Sequence, residues 1–486
     1  MSEPSTQLRY HPPARLTVRE LLSATGGRVV GGVGDLDSSW SLCTDTRELA
    51  DGAVFVALRG EVHDGHRFVA QALGRGAIGA LVCDDALDGL DPPALAGARG
   101  PVVAVPDTLV AFGDAARAVL RRSAPRTAAV TGSVGKTTTR AMLANILRQQ
   151  GPGLESEGNF NNRIGVPLTL LRLDPGDGWA VLEMGMSEPG EIRELARIAE
   201  PQVRVITEVV AAHLEFFDGV EQIADAKGEL FEAAPPGSIL IYPADNPLSA
   251  RFPRPAGVRE LAFSLDPDSD APARALSVQD CGLDGMQATF LLPAGQVEVS
   301  IPLPGRHQVH NALAAAAAAT AMGASLADVR RGLATVAVPG RRMKVLRLRS
   351  ITVLDDAYNA NPASVEAALR TLAATPVSVG ARRIAALGDM LELGPTGPAL
   401  HADVGRLAAS LGVDLLVGTG PLMRSAVRAV AELDGGTQAV AAQDAADAGR
   451  FVIGWARPGD LLLLKGSRGM RMEGVLDVLA EEEVPA

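Results

Sequence analysis

A glycine-rich segment at residues 131–140, TGSVGKTTTR, combines the residue types that bind phosphate groups. An apolar run at residues 128–130 precedes it, and the apolar residues after Lys136 recur at helical spacing. Between a strand and a helix, glycines let backbone N–H groups approach phosphate oxygens, and the helix N-terminus adds positive potential. The segment is therefore predicted to bind nucleotide phosphates, with Lys136 at the terminal phosphates and the Thr137 hydroxyl on Mg²⁺.

The phosphate-binding segment does not by itself decide the class of protein. It is a shortened variant of the pattern G-x-x-x-x-G-K-[ST], because Val130 stands where that pattern has glycine. An accidental glycine-rich turn is the competing interpretation. The N-K-x-D motif of GTPases and the H-R-D and D-F-G motifs of protein kinases do not occur in the sequence, so neither class is predicted.

Length and composition predict a soluble protein of several domains. The chain has 486 residues, of which 47% are hydrophobic and 21% charged, and its formal net charge is −12. This length predicts two to four domains, and the acidic charge argues against a nucleic-acid partner. The distant cysteines Cys43, Cys83 and Cys281 predict neither disulfides nor a zinc site, as is typical of a reducing compartment.

The sequence carries no pattern that predicts export or membrane insertion. Its start, MSEPSTQLRYHPPARL, lacks a charged end followed by an apolar stretch. The apolar run at residues 312–321 is too short to span a membrane and predicts a buried helix. We therefore expect a cytoplasmic protein. We also expect it to act as a monomer.

Three regions differ in sequence pattern, and each is predicted to be an α/β domain. Residues 1–106, with a loose extension at 1–15, contain short apolar runs divided by turns rich in Gly and Asp. Residues 107–338 include the phosphate-binding segment and predict a P-loop ATPase-like domain with a parallel sheet. Residues 339–486 alternate strand-like with helical stretches, which predicts a Rossmann-like domain.

A series of polar motifs runs from about residue 16 to residue 479, nearly the whole chain. The motifs are TDTR at 44–47, DGH at 64–66, TGSVGKTT at 131–138, GNFNNRIGVP at 158–167, EMG at 183–185, GEI at 190–192, AHLE at 212–215, AKGE at 226–229, GR at 340–341, DDAYNANP at 355–362, GDMLELG at 388–394 and KGSRG at 465–469. In this order they resemble the Mur ligases of bacterial cell-wall synthesis. No single motif is decisive, whereas the ordered set is specific.

The resemblance implies an ATP-dependent, ADP-forming ligase of peptidoglycan synthesis, and hence a role in cell shape and cell division. It implies the branch that adds D-alanyl-D-alanine to UDP-N-acetylmuramoyl-tripeptide. In that reaction the tripeptide carboxylate attacks the γ-phosphate of ATP, and the amine of D-alanyl-D-alanine then displaces phosphate from the acyl phosphate. Mg²⁺ and lysine are needed because a carboxylate and a triphosphate, both anions, must be brought together.

The resemblance also implies roles for individual residues. Contacts with ATP are implied for Gly132, Ser133, Val134, Gly135, Lys136, Thr137, Thr138, Asn161, Asn162, Asn311, Arg341 and Asp356. Two Mg²⁺ ions are implied, with the ligands Thr137, Glu183, His213 and Lys227, the last as a carbamate. The implied catalytic residues are Lys136, His213 and Lys227. The UDP end is implied to bind Thr44, Asp45 and Arg47 in the first domain, with ATP between the second and third domains.

Several of these residues have ordinary interpretations when considered singly. Glu183 at a strand end could be a surface carboxylate, and His213 a packed histidine. Lys227 on an amphipathic helix could be a solvated lysine. The acidic pair at residues 355–356 could cap a helix, and the asparagines at 359–361 could serve a turn.

Two positions depart from the pattern of the family, and two other functions compete. The family usually has asparagine in place of Glu208 and of Gln308; neither change removes a charge that the mechanism needs. The first alternative is the sister ligase that adds the third, diamino residue, whose Asp-Asn-Pro-Arg motif is missing from the sequence. The second is a nucleotide-binding regulator without ligase activity, which is disfavoured because every implied metal ligand is present.

Overall fold

The computed structural model describes residues 14–32, 35–60, 63–211, 215, 217, 219–348 and 350–481. The contacts between residues divide the chain into two compact units. The first unit comprises Met1–Ala129, Gly151–Met184 and Arg193–Pro201, and the second comprises Val130–Gln150, Gly185–Ile192 and Gln202–Ala486. The extents of the three predicted domains stay a prediction, and most of the expected loose extension lies outside the described residues.

The helices and strands follow one another along the described chain in the order given below. Up to the phosphate-binding segment they are β1 (Leu16–Thr17), α1 (Val18–Thr25), β2 (Arg28–Gly31), β3 (Ser39–Trp40), β4 (Leu42–Cys43), β5 (Val54–Val56), α2 (Val69–Gly74), β6 (Gly79–Cys83), α3 (Pro92–Ala96), β7 (Val102–Val105), α4 (Thr108–Ser123) and β8 (Arg126–Thr131). They continue with α5 (Lys136–Leu147), β9 (Leu154–Glu155), α6 (Gly165–Leu170), β10 (Trp179–Glu183), α7 (Glu191–Ala199), β11 (Val203–Ile206), α8 (Val220–Glu232), β12 (Ile239–Pro243), β13 (Arg259–Ser264), β14 (Ala273–Asp280), β15 (Met286–Leu292), β16 (Gly295–Ile301), α9 (Arg306–Ala321) and α10 (Leu326–Ala334). The last are β17 (Lys344–Leu348), β18 (Ile351–Asp356), α11 (Pro362–Ala374), β19 (Arg383–Gly388), α12 (Gly397–Ser410), β20 (Leu415–Thr419), α13 (Met423–Ala431), β21 (Gln438–Ala442), α14 (Ala445–Trp455), β22 (Leu461–Lys465) and α15 (Gly474–Glu481).

The first unit contains a sheet in the order β2-β7-β6-β5-β4. Strands β4 to β7 are parallel and β2 joins the edge antiparallel to β7. The short apolar runs noted within residues 1–106 include β5, β6 and β7, so the α/β class predicted for this region is confirmed. In the same unit, β8 is followed in a sheet by β10 and β9.

The last two residues of β8, 130 and 131, belong to the second unit, whose sheet has the order β8-β11-β12-β13-β14-β15-β16. Strands β11 to β14 are parallel, and β14, β15 and β16 add antiparallel hairpins. The alanine-rich helix α9 packs against this sheet and against α5. Its residues 311–319 are all buried, which confirms the predicted buried helix.

The C-terminal part of the second unit is a sheet in the order β17-β18-β22-β19-β20-β21, parallel except for the edge strand β17. Along β22, Leu461 and Leu463 belong to one buried cluster, and Leu462 and Leu464 belong to another. Both faces of the sheet are therefore covered, as parallel sheets require. This confirms the predicted Rossmann-like arrangement.

A membrane-spanning helix, meaning one both long and apolar enough to cross a bilayer, does not occur in the part of the chain that the structure describes.

Candidate active site

The phosphate loop, residues 131–138, lies between β8 and α5 as predicted. Gly132 has φ +151° and Gly135 has φ +83°, conformations that side chains disfavour. A Cβ atom would lie 2.1 Å from Thr207 Oγ1 at Gly132, and 2.3 Å from Asn311 Oδ1 at Gly135. Both positions therefore require glycine, and an accidental glycine-rich turn does not explain this packing.

A second segment, residues 207–210, holds the phosphate loop from behind, and we call it the back wall. The Ser133 N–H donates to the Glu208 carbonyl at 2.7 Å, and Ser133 Oγ donates to the Val210 carbonyl at 2.9 Å. Thr207 Oγ1 donates to the Val134 carbonyl at 2.6 Å. Sequence reasoning missed Thr207, because this partner lies 73 residues from Val134 along the chain.

Three side chains of the loop with predicted roles, those of Lys136, Thr137 and Thr138, lie at the start of α5. Lys136 Nζ donates to the Gly132 carbonyl at 2.7 Å and lies 3.4 Å from the Ser133 carbonyl. Thr137 and Thr138 are buried. The ammonium group of Lys136 thus lies over the loop whose N–H groups are predicted to meet the phosphates.

Lys227 lies on α8 and is 3% exposed, so the solvated-lysine interpretation is wrong. Burial lowers the pKa of Lys227 well below its usual value, and the charge of Lys136 lowers that pKa further. This direction of shift favours the neutral amine, which is the nucleophilic form of lysine. The predicted metal ligand His213 lies outside the described residues.

Glu183 ends strand β10 in the first unit and is also 3% exposed, so it is not a surface carboxylate. Its Oε1 accepts a hydrogen bond from Asn161 Nδ2 at 3.0 Å. Asn162 Oδ1 instead accepts from the backbone N–H groups of Ile164, at 3.1 Å, and Gly165, at 2.8 Å. Of the two predicted asparagines, Asn161 thus contacts a predicted metal ligand, and Asn162 stabilises the start of α6.

The predicted metal ligands do not include a preformed carboxylate cage. Among the residues that the structure describes, no group of three or more His, Cys, Asp or Glu side chains is placed to hold a metal ion. Mg²⁺ typically keeps several waters and binds one or two carboxylates together with substrate phosphates. Glu183 is a buried carboxylate of the first unit and Thr137 a buried hydroxyl of the second, and each is a type of ligand that Mg²⁺ accepts when it arrives with a nucleotide.

In the C-terminal part of the second unit, the acidic residues 355 and 356 pair with basic side chains. Arg341 Nη1 donates to Asp355 Oδ2 at 2.8 Å, and burial raises the pKa of Asp355. Lys465 Nζ donates to Asp356 Oδ2 at 2.5 Å, a partner that sequence reasoning missed although its KGSRG motif was noted. Helix α11 is capped by Asn361, whose Oδ1 accepts from Ser364 N at 2.9 Å. The helix-capping interpretation of the acidic pair is therefore wrong.

Helix α9 begins near this acidic pair and carries Asn311 in its second turn. Asn311 Nδ2 donates to Gln308 Oε1 at 3.3 Å, so Gln308 still holds the predicted ATP ligand. The pKa of His307 is lowered to about 4, chiefly by burial; Asp356 opposes this shift and Lys465 adds to it. These charges place Asp356 and Lys465 close to the start of α9.

The predicted UDP-binding residues lie in the first unit, after β4. Asp45 accepts from Arg47 Nη2 at 2.6 Å, from Arg47 Nε at 2.9 Å and from the Arg47 backbone N–H at 2.8 Å. These hydrogen bonds lower the pKa of Asp45 to about 2. The Arg47 side chain is 83% exposed, and Thr44 is partly exposed.

Comparison with known proteins identifies related chains over nearly the full length. Family models match residues 41–119 (Mur ligase family, catalytic domain), 130–319 (Mur ligase middle domain) and 341–468 (Mur ligase, glutamate ligase domain). The UDP-N-acetylmuramoyl-tripeptide–D-alanyl-D-alanine ligase of Escherichia coli (strain K12) is 38% identical over 469 residues, covering 96% of this chain and 98% of that protein. A crystal structure of MurF from Acinetobacter baumannii superposes with a TM-score of 0.86 at 30% identity, covering 97% of this chain and 100% of that one. The MurF ligase of Thermotoga maritima in complex with ADP gives a TM-score of 0.78 at 26% identity, covering 91% of this chain and 97% of that one.

Proposed function

We propose specific roles for the residues of this chain, which belongs to the Mur ligase family. The roles concern the reaction that the chain catalyses. That reaction is the ATP-dependent, ADP-forming addition of D-alanyl-D-alanine to UDP-N-acetylmuramoyl-tripeptide in peptidoglycan synthesis. The observation that carries the proposal is the packed phosphate loop, in which Gly132 and Gly135 leave no room for a side chain.

The reaction has two steps in which atoms and charge balance. A carboxylate oxygen of the tripeptide attacks the γ-phosphorus of ATP, the bond from that phosphorus to the bridging oxygen breaks, and ADP leaves. The amine of D-alanyl-D-alanine then attacks the acyl carbon, loses a proton, and inorganic phosphate leaves from the tetrahedral intermediate. The first step brings two anions together, and the second develops negative charge on the oxygen of the tetrahedral intermediate and on the leaving phosphate, so positioned cations are the main requirement.

The phosphate loop is proposed to hold the triphosphate of ATP. Its N–H groups and the N-terminus of α5 bind the phosphate oxygens, and Lys136 moves from the Gly132 carbonyl to the transferring phosphoryl group. Thr137 and Glu183 would hold Mg²⁺, which when bound neutralises charge on the phosphates. Asn161 orients Glu183, since it donates to that carboxylate.

Lys227 is proposed to act as a carbamate. A neutral amine adds to carbon dioxide and releases one proton, which turns a neutral side chain into an anionic oxygen ligand. The lowered pKa of Lys227 supports this, because only the neutral amine reacts. With His213 it would form the second Mg²⁺ site.

The remaining roles concern the two ends of the substrates. Arg341 and Asp356 are proposed to reach ATP from the C-terminal domain, and Asn311 to lie near the adenine. Thr44, Asp45 and Arg47 are proposed to bind the UDP end. We further propose that the chain works in the cytoplasm as a monomer.

The test is ADP formation from ATP by the purified chain. ADP release should require both UDP-N-acetylmuramoyl-tripeptide and D-alanyl-D-alanine, and mass spectrometry should identify the pentapeptide product. The sister activity is disfavoured by the relatives' names, and it would instead show ADP release with the UDP-dipeptide and a diamino acid. A regulator without ligase activity would bind ATP and release no ADP under either condition.

A further inference from the structure

Glu208 contributes to the back wall through both its backbone and its side chain. Its carbonyl accepts the hydrogen bond from the Ser133 N–H at 2.7 Å. The neighbouring residues Thr207 and Val210 bind the loop at Val134 and Ser133. A shift of the back wall would therefore move the N–H groups that must meet the phosphates, and small misplacements of this kind are costly for catalysis.

The side chain of Glu208 ties the back wall to the segment that follows β12. Asn246 Nδ2 donates to Glu208 Oε1 and also to the Val209 carbonyl, the latter at 2.8 Å. Asn246 is itself fixed, because its Oδ1 accepts from the Leu248 N–H at 2.9 Å. The amide of Asn246 thus binds two consecutive residues of the back wall.

The second carboxylate oxygen of Glu208 faces helix α9. Glu208 Oε2 lies 3.4 Å from His310 Nε2, and the His310 ring packs edge-on against Phe263 with centroids 4.9 Å apart. Burial lowers the pKa of His310, so the ring is neutral at pH 7 and can donate from Nε2 in one of its tautomers. The next residue on α9 is Asn311, against which Gly135 packs. Glu208 therefore connects the back wall to helix α9, and the phosphate loop lies between these two elements.

We propose that Glu208 is a positioning residue for ATP, which fixes the back wall through Asn246 and helix α9 through His310. The inference rests on the proposed function, since it takes the loop to bind the phosphates of ATP. The carboxylate has one oxygen for each partner.

The test exchanges the two ends of the Glu208–Asn246 hydrogen bond. Asn246→Asp keeps an acceptor for the Leu248 N–H but sets two carboxylates against each other. The double variant Glu208→Gln with Asn246→Asp restores a donor and an acceptor in reversed order. Glu208→Ala removes both contacts, and Glu298→Ala, an exposed glutamate of β16, is the matched control.

Two readouts are compared: the affinity for a non-hydrolysable ATP analogue, by calorimetry, and the KM for each substrate. Glu208→Ala and Asn246→Asp should each weaken analogue binding and raise the KM for ATP about tenfold. Their KM for D-alanyl-D-alanine should stay within about twofold. The double variant should bind the analogue at least about threefold more tightly than Asn246→Asp alone, and the control should match the wild-type chain.

The proposal is overturned if Glu208→Ala and Asn246→Asp both bind the ATP analogue as tightly as the wild-type chain, whatever their melting temperatures. It is also overturned if the KM values for ATP and for D-alanyl-D-alanine rise equally. A double variant no tighter than Asn246→Asp also overturns it. If Glu208→Ala does not fold, the comparison of the double variant with Asn246→Asp alone still tests the proposal. Failure of the proposed function would instead appear in the wild-type chain as the lack of ADP formation, and the analogue affinities would still test Glu208.

Discussion

Two parts of the molecule that are proposed to bind anionic groups of substrates are built in different ways. The phosphate loop is held by contacts distant in sequence, such as Thr207 to Val134, and by close packing of Gly135 on Asn311. The UDP-binding motif at residues 44–47 is local and exposed, with Arg47 paired to Asp45 two residues away.

The phosphate loop is preorganised, whereas the motif at residues 44–47 carries an exposed charge that can adjust. The backbone of the phosphate loop is fixed by contacts within the protein, so its N–H groups need little reorganisation as charge develops in the transition state. The guanidinium of Arg47 is already neutralised by Asp45, and an exposed pair of this kind contributes little and is screened by salt. Changes in the loop should therefore affect the chemical step, and changes in the motif should affect the binding of one substrate.

The largest effect is expected at Lys136. Lys136→Ala removes the charge that we propose meets the transferring phosphoryl group, so kcat should fall by about a thousandfold or more, measured as ADP release. Lys136→Arg should also fail, because the planar guanidinium is bulkier than a compact ammonium. Lys344→Ala, an exposed lysine of β17, is the control. Turnover near that of the wild type in either Lys136 variant would mean that the loop does not carry the chemistry.

The next effect is expected at Lys227, which tests whether a buried lysine acts as an anion. Lys227→Ala should keep ATP binding and lose ligation by about a hundredfold or more. Added short carboxylic acids should restore part of the rate, because they supply the missing oxygen ligand, whereas amines should not. Better rescue by amines, or ligation at the wild-type rate, would contradict the carbamate role.

Gly135→Ala tests the packing of the loop without changing any charge. The added Cβ would meet Asn311 Oδ1, so the KM for ATP should rise about tenfold or more. Gly412→Ala is a matched control, since Gly412 also has a positive φ, +71°, with nothing within 4 Å of the added Cβ. Equal effects of the two variants would show that backbone strain, and not the contact with Asn311, limits ATP binding.

The same contrast explains what could be predicted from the sequence. The strand, glycines and helix of the phosphate loop were predictable because they are adjacent in sequence, and the structure confirms their order. The partners that fix the site were not, because Thr207 and Lys465 reach their acceptors only once the sheets have formed, across 73 and 109 residues. Glu208 was noticed only as an unusual residue, because its contacts with Asn246 and His310 depend on the positions of β12 and α9.

The smallest effect is expected at Arg47. Arg47→Ala should raise the KM for UDP-N-acetylmuramoyl-tripeptide by about threefold to tenfold and leave the KM for ATP unchanged, because one exposed charge is lost. The difference from the wild type should shrink as salt is added. Arg19→Ala, an exposed arginine paired with Asp37 in the same unit, is the matched control and should change neither KM.

The pH dependence of this effect follows from Asp45. Its pKa is lowered to about 2, so the carboxylate stays ionised and paired with Arg47 at every pH above that value. The ratio of the two KM values, variant to wild type, should therefore be constant between about pH 6 and pH 9. A ratio that varies over this range, or a rise in the KM for ATP as large as that for the UDP substrate, would show that Arg47 does not act through an exposed charge at the UDP end.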